Sequence, residues 1–330
     1  MTRDKSHRTR SVRRRAAGAA VLLAAPLALG VATPAHAVAE TRYVAATGND
    51  AVAAIPNDCS QSALPCRTIG HAVDEASSRD TVSIATGTYA ESLNVTESLT
   101  FVGTGSTMPT ITGDAGGDPT MWVDGDGASA PITVSLSDIS LSGNTHAGAL
   151  QVEAATTDLT DSKVSDNAGT GAFVTAGSTM TATGSTINGN LFGFYESGSL
   201  TLKNSTVSGS VMDGITVTGE SVLITGSVIS DSGGYGISQD GGAVSVTGST
   251  ISGNGKGGVV VGFNSAQPVT AHITRSTLSG NTVAGAAASP GGKVIITRST
   301  VSGTRASTTG PQPYGGGLLA AGGNVQASEV

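Results

Sequence analysis

Large aromatic side chains and charges are both scarce in this 330-residue chain: Phe, Trp and Tyr make up 3%, and Asp, Glu, Lys and Arg together 12%. There are two cysteines, too few for a disulfide-rich scaffold or a structural zinc site, which the nearby His71 does not complete. Of five histidines only His71, His146 and His272 lie beyond residue 37, far apart and in no paired-histidine metal motif. No nucleophile-elbow glycine pattern surrounds a serine. These absences remove the common metallohydrolase and serine-hydrolase signatures.

Basic residues are concentrated where they do not serve the folded chain. Seven of the 17 fall in residues 1–15, ahead of an Ala/Leu/Val run from Ala16 to Ala32 and the triplet Ala35, His36, Ala37. A basic start, an apolar middle and an A-x-A triplet read as a secretory signal peptide, so the expected location is extracellular, with residues 1–37 removed. The run is Ala-rich and ends at the triplet, which argues against a membrane span. Arg13, Arg14 and Arg15 keep twin-arginine export open, but no Phe-Leu follows them, which favours the general secretory route. Beyond the leader stand 10 basic and 23 acidic residues, net −13. Such a surface repels nucleic acid and anionic polymers unless cations intervene; uncharged glycans and cationic partners remain open.

What is present is a repeat. The hexapeptide Ser249, Thr250, Ile251, Ser252, Gly253, Asn254 recurs in variant form eight times, with its third residue as Leu141, Val164, Ile187, Val207, Ile229, Ile251, Leu278 and Val301. The gaps between these anchors are 23, 23, 20, 22, 22, 27 and 23 residues, the near-fixed period of a solenoid. Five and seven residues upstream lie mostly apolar pairs such as Leu200/Leu202 and Val222/Ile224, which follow the strand period. Weaker copies read Thr157/Leu159, Met180/Ala182 and Ala271/Ile273. Serine stands two before the anchor in seven copies, and asparagine three after it in five (Asn144, Asn167, Asn190, Asn254, Asn281). A glycine then opens a further short apolar run. Each repeat is therefore strand, bend, short strand, bend, strand. A flexible Gly/Ser stalk has no reason to keep such a period.

Coils of about 22 residues with short strands, no helical segment and bends of Ser, Gly and Asn resemble the right-handed parallel β-helix of the pectin-lyase-like superfamily, from about Thr68 onward. The resemblance implies an all-β solenoid in which equivalent residues stack at ~4.8 Å. The anchors become an internal aliphatic ladder, and the asparagines a ladder at a bend where a left-handed backbone is cheap. It also implies a short N-terminal capping helix, and Ile69, Ala72, Val73 and Ala76 do fall on one helical face between Thr68 and Ala76. Relatives of this fold include pectate lyases, polygalacturonases, alginate epimerases, phage tailspikes and noncatalytic surface proteins. The catalytic calcium-carboxylate and paired-aspartate motifs of the enzymes find no convincing match here.

The expected domain plan is a leader at 1–37, an N-terminal segment at 38–66, the helix and irregular first coils at 67–131, and regular coils from 132 to 330. In an exported chain Cys59 and Cys66 are expected to form one disulfide. Asp114, Asp118, Asp124 and Asp126 are either calcium ligands or ordinary turn residues; no other cofactor is expected. Val325, Ser328 and Val330 match the strand, serine and anchor of a ninth coil, so the sequence is expected to be cut within that coil, or another subunit to cover it.

Stacking the columns gives the site candidates. The residue before the post-bend glycine reads Phe192, Asp213 and Tyr235 on three successive coils, a carboxylate between two rings that suits a sugar. Asp213 is the catalytic candidate if there is catalysis, with Glu196 the nearest suggestion for a second carboxylate. Asp138 and Asp161, one rung apart, are either solvated or share a cation. The function expected is a secreted, noncatalytic β-helix that presents a ladder surface to an extracellular polysaccharide or protein. The alternative is a polysaccharide lyase, hydrolase or epimerase of the same fold.

Overall fold

The computed structural model describes residues 38–52, 55–262, 265, 267–305 and 316–330. The leader and much of the two long excursions, Gly262 to Pro268 and Thr304 to Gly316, lie outside them. From Ala39 onward the chain winds into a parallel β-solenoid with three sheets of 12, 10 and 10 strands. One coil gives the plan. Ser199–Lys203 lies in the first sheet, Thr206–Ser208 in the second and Ile215–Val217 in the third, and Ser221–Thr225 then returns to pair with Ser199–Lys203. Strands this short hold together because each backbone group pairs with the coil above or below.

The repeat period sets the register. Leu141, Val164, Ile187, Val207, Ile229, Ile251, Leu278 and Val301 face one another across successive strands of the second sheet. The first seven are fully buried, each contributing ~1.5–3 kcal/mol. Two coils that looked irregular join the same column, because Tyr89 pairs with Ile111 and Ile111 with Leu141. The apolar pairs upstream of the anchors line the inside of the first sheet, weak copies such as Met180/Ala182 included.

Two internal polar ladders run beside the aliphatic one. Each column serine accepts the amide N–H of the preceding coil at 3.0–3.2 Å and donates to a carbonyl of its own coil. Asn167 and Asn254 each donate to the side-chain oxygen of the next asparagine at 2.9 Å. Asn190 and Asn281 reach the carbonyls of Val164 and Ile251, anchors one coil back. These asparagines are not the left-handed residues. That role falls one position earlier, to Gly143, Asp166, Gly189, Gly209, Asp231, Gly253 and Gly280. The side chain of Asn must point inward to reach its ladder, so the turn is made by its neighbour.

A helix forms at Ile69–Asp74, shorter than the Thr68–Ala76 pattern, with Thr68 as N-cap and Ile69 and Ala72 buried. The Glu91 carboxylate accepts the amides of Ile69 and Gly70 at 2.9 and 2.8 Å, which satisfies the open first turn. Cys59 and Cys66 are joined in a buried disulfide. Their sulfurs are bonded to each other beside His71, so this cluster offers no thiolate pair to a metal. At Asn324–Ser328 the register differs from the sequence reading: Val325 pairs with Val294 and Ser328 with Thr297. Val330 is therefore not in an anchor position. A shift of two residues keeps every side chain on the same face, so alternation alone could not fix it.

Replacing Ile187 by Ala should lower unfolding stability by ~2–5 kcal/mol, because the cavity lies between two stacked anchors. Thr186→Ala, at the exposed position beside it, should stay within ~0.5 kcal/mol. Urea denaturation of both variants checks the assignment of inside and outside.

Candidate functional site

The outer face of the third sheet is built by strand alternation. Where Met121 and Val123, Ala172 and Val174, or Ile215 and Val217 point into the core, the residue between them points out. That outward column reads Trp122, Gln151, Phe173, Tyr195, Thr216 and Ser238 on successive coils. With Phe192 and Tyr235 at the bend alongside, five of the chain's eleven aromatics occupy this face or its edge. In a chain so poor in rings, that concentration singles the face out as a candidate site. Phe173 and Tyr195 lie 5.6 Å apart, and Phe192 meets Tyr195 edge-on at 6.0 Å. Two recesses sharing Pro119 continue the platform toward the N-terminal coils. One, of about 200 Å³, sits against Trp122, Asn94 and Asp118; the other, of about 330 Å³, against Gln151, Thr170 and Phe173.

Phe192, Asp213 and Tyr235 do occupy successive rungs. The amides of Gly193 and Gly214, which follow Phe192 and Asp213, donate to the carbonyls of Asp213 and Tyr235 at 3.2 and 2.9 Å. The ring of Phe192 leans on Tyr195, however, not on Asp213. The Asp213 carboxylate accepts the Tyr235 amide at 2.8 Å and the Thr216 hydroxyl at 3.4 Å. It fits there because the next rung offers Gly234: a Cβ at that position would overlap Asp213 Oδ1. Burial raises the Asp213 pKa above the ordinary carboxylate value, against the opposing pull of the Tyr235 N–H and the Lys256 charge. Burial and the Asp213 charge together raise the Tyr235 phenol. Lys256 Nζ stands 5.9 Å from the centre of the Tyr235 ring.

Three sequence candidates are placed elsewhere. Glu196 does not face Asp213. It follows Tyr195 in the strand, so alternation turns it into the tube, in register with Val174 and Val217, fully buried and with no hydrogen-bond partner on either oxygen. Burial pushes its pKa up to about 8. Asp138 and Asp161 are exposed and adopt φ of 56° and 46°. Every residue of their column, through Gly184, Asn204, Gly226, Gly248, Arg275 and Arg298, is left-handed, so the bend accounts for the residue types found there. Asp114, Asp118, Asp124 and Asp126 do not bring three carboxylates within 4.8 Å of one another. Asp114 and Asp124 instead accept the amides of Gly116 and Asp126 in turns. Trp122, Phe173 and Tyr195 were missed as candidates. The signal was available: the residue between two inward-facing positions of the post-bend run.

A family model described as "Right handed beta helix region" matches residues 192–271. Among solved structures, the fold is similar to an alginate lyase from Paenibacillus (16% identity, TM-score 0.59, covering 78% of this chain and 96% of that one). It is similar also to a pectate lyase (16%, 0.57, 83% and 78%) and a rhamnogalacturonan lyase (11%, 0.61, 88% and 87%). No curated protein sequence matches the chain. The chain is a right-handed parallel β-helix of the pectin-lyase-like fold.

The buried Glu196 makes stability depend on pH. In the unfolded chain its proton leaves near 4.5, whereas the folded chain keeps it to about 8, so this group lowers stability as pH rises through that interval and not outside it. Glu196→Val should therefore stabilise the fold, by on the order of 1–3 kcal/mol, and more at pH 8 than below pH 4.5. Urea unfolding at both pH values tests this; equal stability of variant and wild type at pH 8 would refute it.

Proposed function

We propose that the protein is an exported β-helix that binds an extracellular polysaccharide along the outer face of its third sheet. The observation that carries this reading is the row of rings on adjacent rungs, Phe173 and Tyr195 tilted 50° to each other, with Trp122 two rungs before and Phe192 beside them. Rings present flat apolar faces to the C–H faces of sugars, and Asn94 and Gln151 offer hydrogen bonds to hydroxyls on the same column. Successive rungs lie ~4.8 Å apart, a step comparable to one pyranose unit of an extended chain. Export is supported by the leader-like sequence of residues 1–37 and by the disulfide.

Catalysis at Asp213 is the second reading, favoured by its half-buried carboxylate, whose pKa burial raises, beside Tyr235 and Lys256 and by the lyase names of the similar structures. Hydrolysis by paired carboxylates has less support, because Glu196 faces the core. Elimination or epimerisation needs one group to take a proton next to a carboxyl; the Tyr235 phenol, its pKa raised by burial and the Asp213 charge, is suited to giving a proton and not to taking one.

Incubation with neutral and acidic polysaccharides, followed for binding and for new or unsaturated chain ends, separates the two. Tyr195→Ala and Phe173→Ala should each weaken binding about tenfold while the fold persists. Turnover that vanishes in Asp213→Ala would move the conclusion to an enzyme. Undiminished binding in both ring variants would remove the third sheet as the site.

A further inference from the structure

We infer that the polysaccharide held by this face is neutral and carries O-acyl groups, which settle on an exposed apolar pad of Leu191, Val211 and Met212; the inference rests on the reading above and names the ligand class. These side chains are 37%, 65% and 41% exposed. Leu191 and Met212 are counterparts on adjacent rungs, since the Met212 amide donates to the Leu191 carbonyl at 2.8 Å, and Val211 precedes Met212. Their chain neighbours Phe192 and Asp213 border the aromatic platform, so the pad continues that face. On the rungs to either side the counterparts are Gly169 and Gly234, which have no side chain. The pad is therefore raised and only two rungs wide.

That size decides between occupants. A protein partner needs some 800 Å² on each side, far more than three side chains supply, whereas one acetyl methyl is covered by a leucine and a methionine. A free hydroxyl set on such a pad loses its water hydrogen bonds without replacement, while a methyl gains by leaving water. Charge selects the polymer. The Asp213 carboxylate borders the platform, and beyond residue 37 the chain carries 23 acidic against 10 basic residues. A polyuronate would bring carboxylates against carboxylates.

The test uses the mature protein and xylo-, manno- and gluco-oligosaccharides, each acetylated and again after alkaline deacetylation, with oligogalacturonate as the anionic probe, all by titration calorimetry. Acetylated forms should bind roughly three- to tenfold tighter than their deacetylated partners. Leu191→Ser and Met212→Ser, both at exposed positions, should erase that difference and leave the affinity for deacetylated chains unchanged. Equal binding of acetylated and deacetylated chains overturns the inference and leaves the glycan reading standing, as does a preference that survives in both variants. Tighter binding of oligogalacturonate overturns the neutral assignment. Binding to none of the probes overturns the glycan reading and this inference together. Self-association of the wild type that Leu191→Ser abolishes would reassign the pad to contact between copies.

Discussion

Every part of this molecule depends on the hydrogen bond between a residue and its counterpart one coil away. Strands of three residues have no stability of their own; they persist because parallel pairing continues on both sides and because side chains repeat the pairing inside. The serines bridge successive amides, and the asparagines bridge both amides and anchor carbonyls. A buried polar column of this kind stabilises only when each member is satisfied by the next. The chain is thus held to one register by polar ladders and filled by an aliphatic one.

The asparagine ladder is interrupted where the candidate site lies, while the serine ladder runs on. Between Asn190 and Asn254 the asparagine column is occupied by Ser210 and Ser232, whose hydroxyls are buried without partners. Each stands three residues before a site residue, Asp213 and Tyr235. On neighbouring coils the valine column inside the third sheet admits Glu196 and Gln239, and the oxygens of both side chains lack partners. Unpartnered buried atoms also occur on other coils, at Trp122, Thr157, Ser165, Asn188 and Thr304, but Glu196, Ser210, Ser232 and Gln239 fall on three successive coils beside the candidate site, where function is expected to have displaced stability.

Much of the fold was legible because its period is written in the sequence: one coil is one repeat, and the anchor column gives the register of the second sheet directly. Tyr89 and Ile111 escaped notice because the following gap, to Leu141, departs from the period. The disulfide followed from export and cysteine count. The site was harder. Ladder residues repeat and announce themselves, whereas a binding face is made of positions that differ from coil to coil, so Trp122, Phe173 and Tyr195 leave no column to recognise. Glu196 was paired with Asp213 by proximity of coils; only the inward or outward sense of a single strand position separates them. The left-handed residue was misplaced by one, from the preceding Gly or Asp to the asparagine, since both types tolerate that conformation.

A face laid across evenly spaced rungs has a quantised length. On a globular enzyme a binding cleft is reshaped by loops, and its dimensions vary continuously. Here the distance from Trp122 to Tyr195 along the tube is three rungs, and no loop change alters it. Duplicating one coil would add one rung to the platform and leave the pairing of the other coils intact, because each strand pairs only with the coils directly before and after it. The length of the ring-bearing face on such a scaffold is set by counting coils.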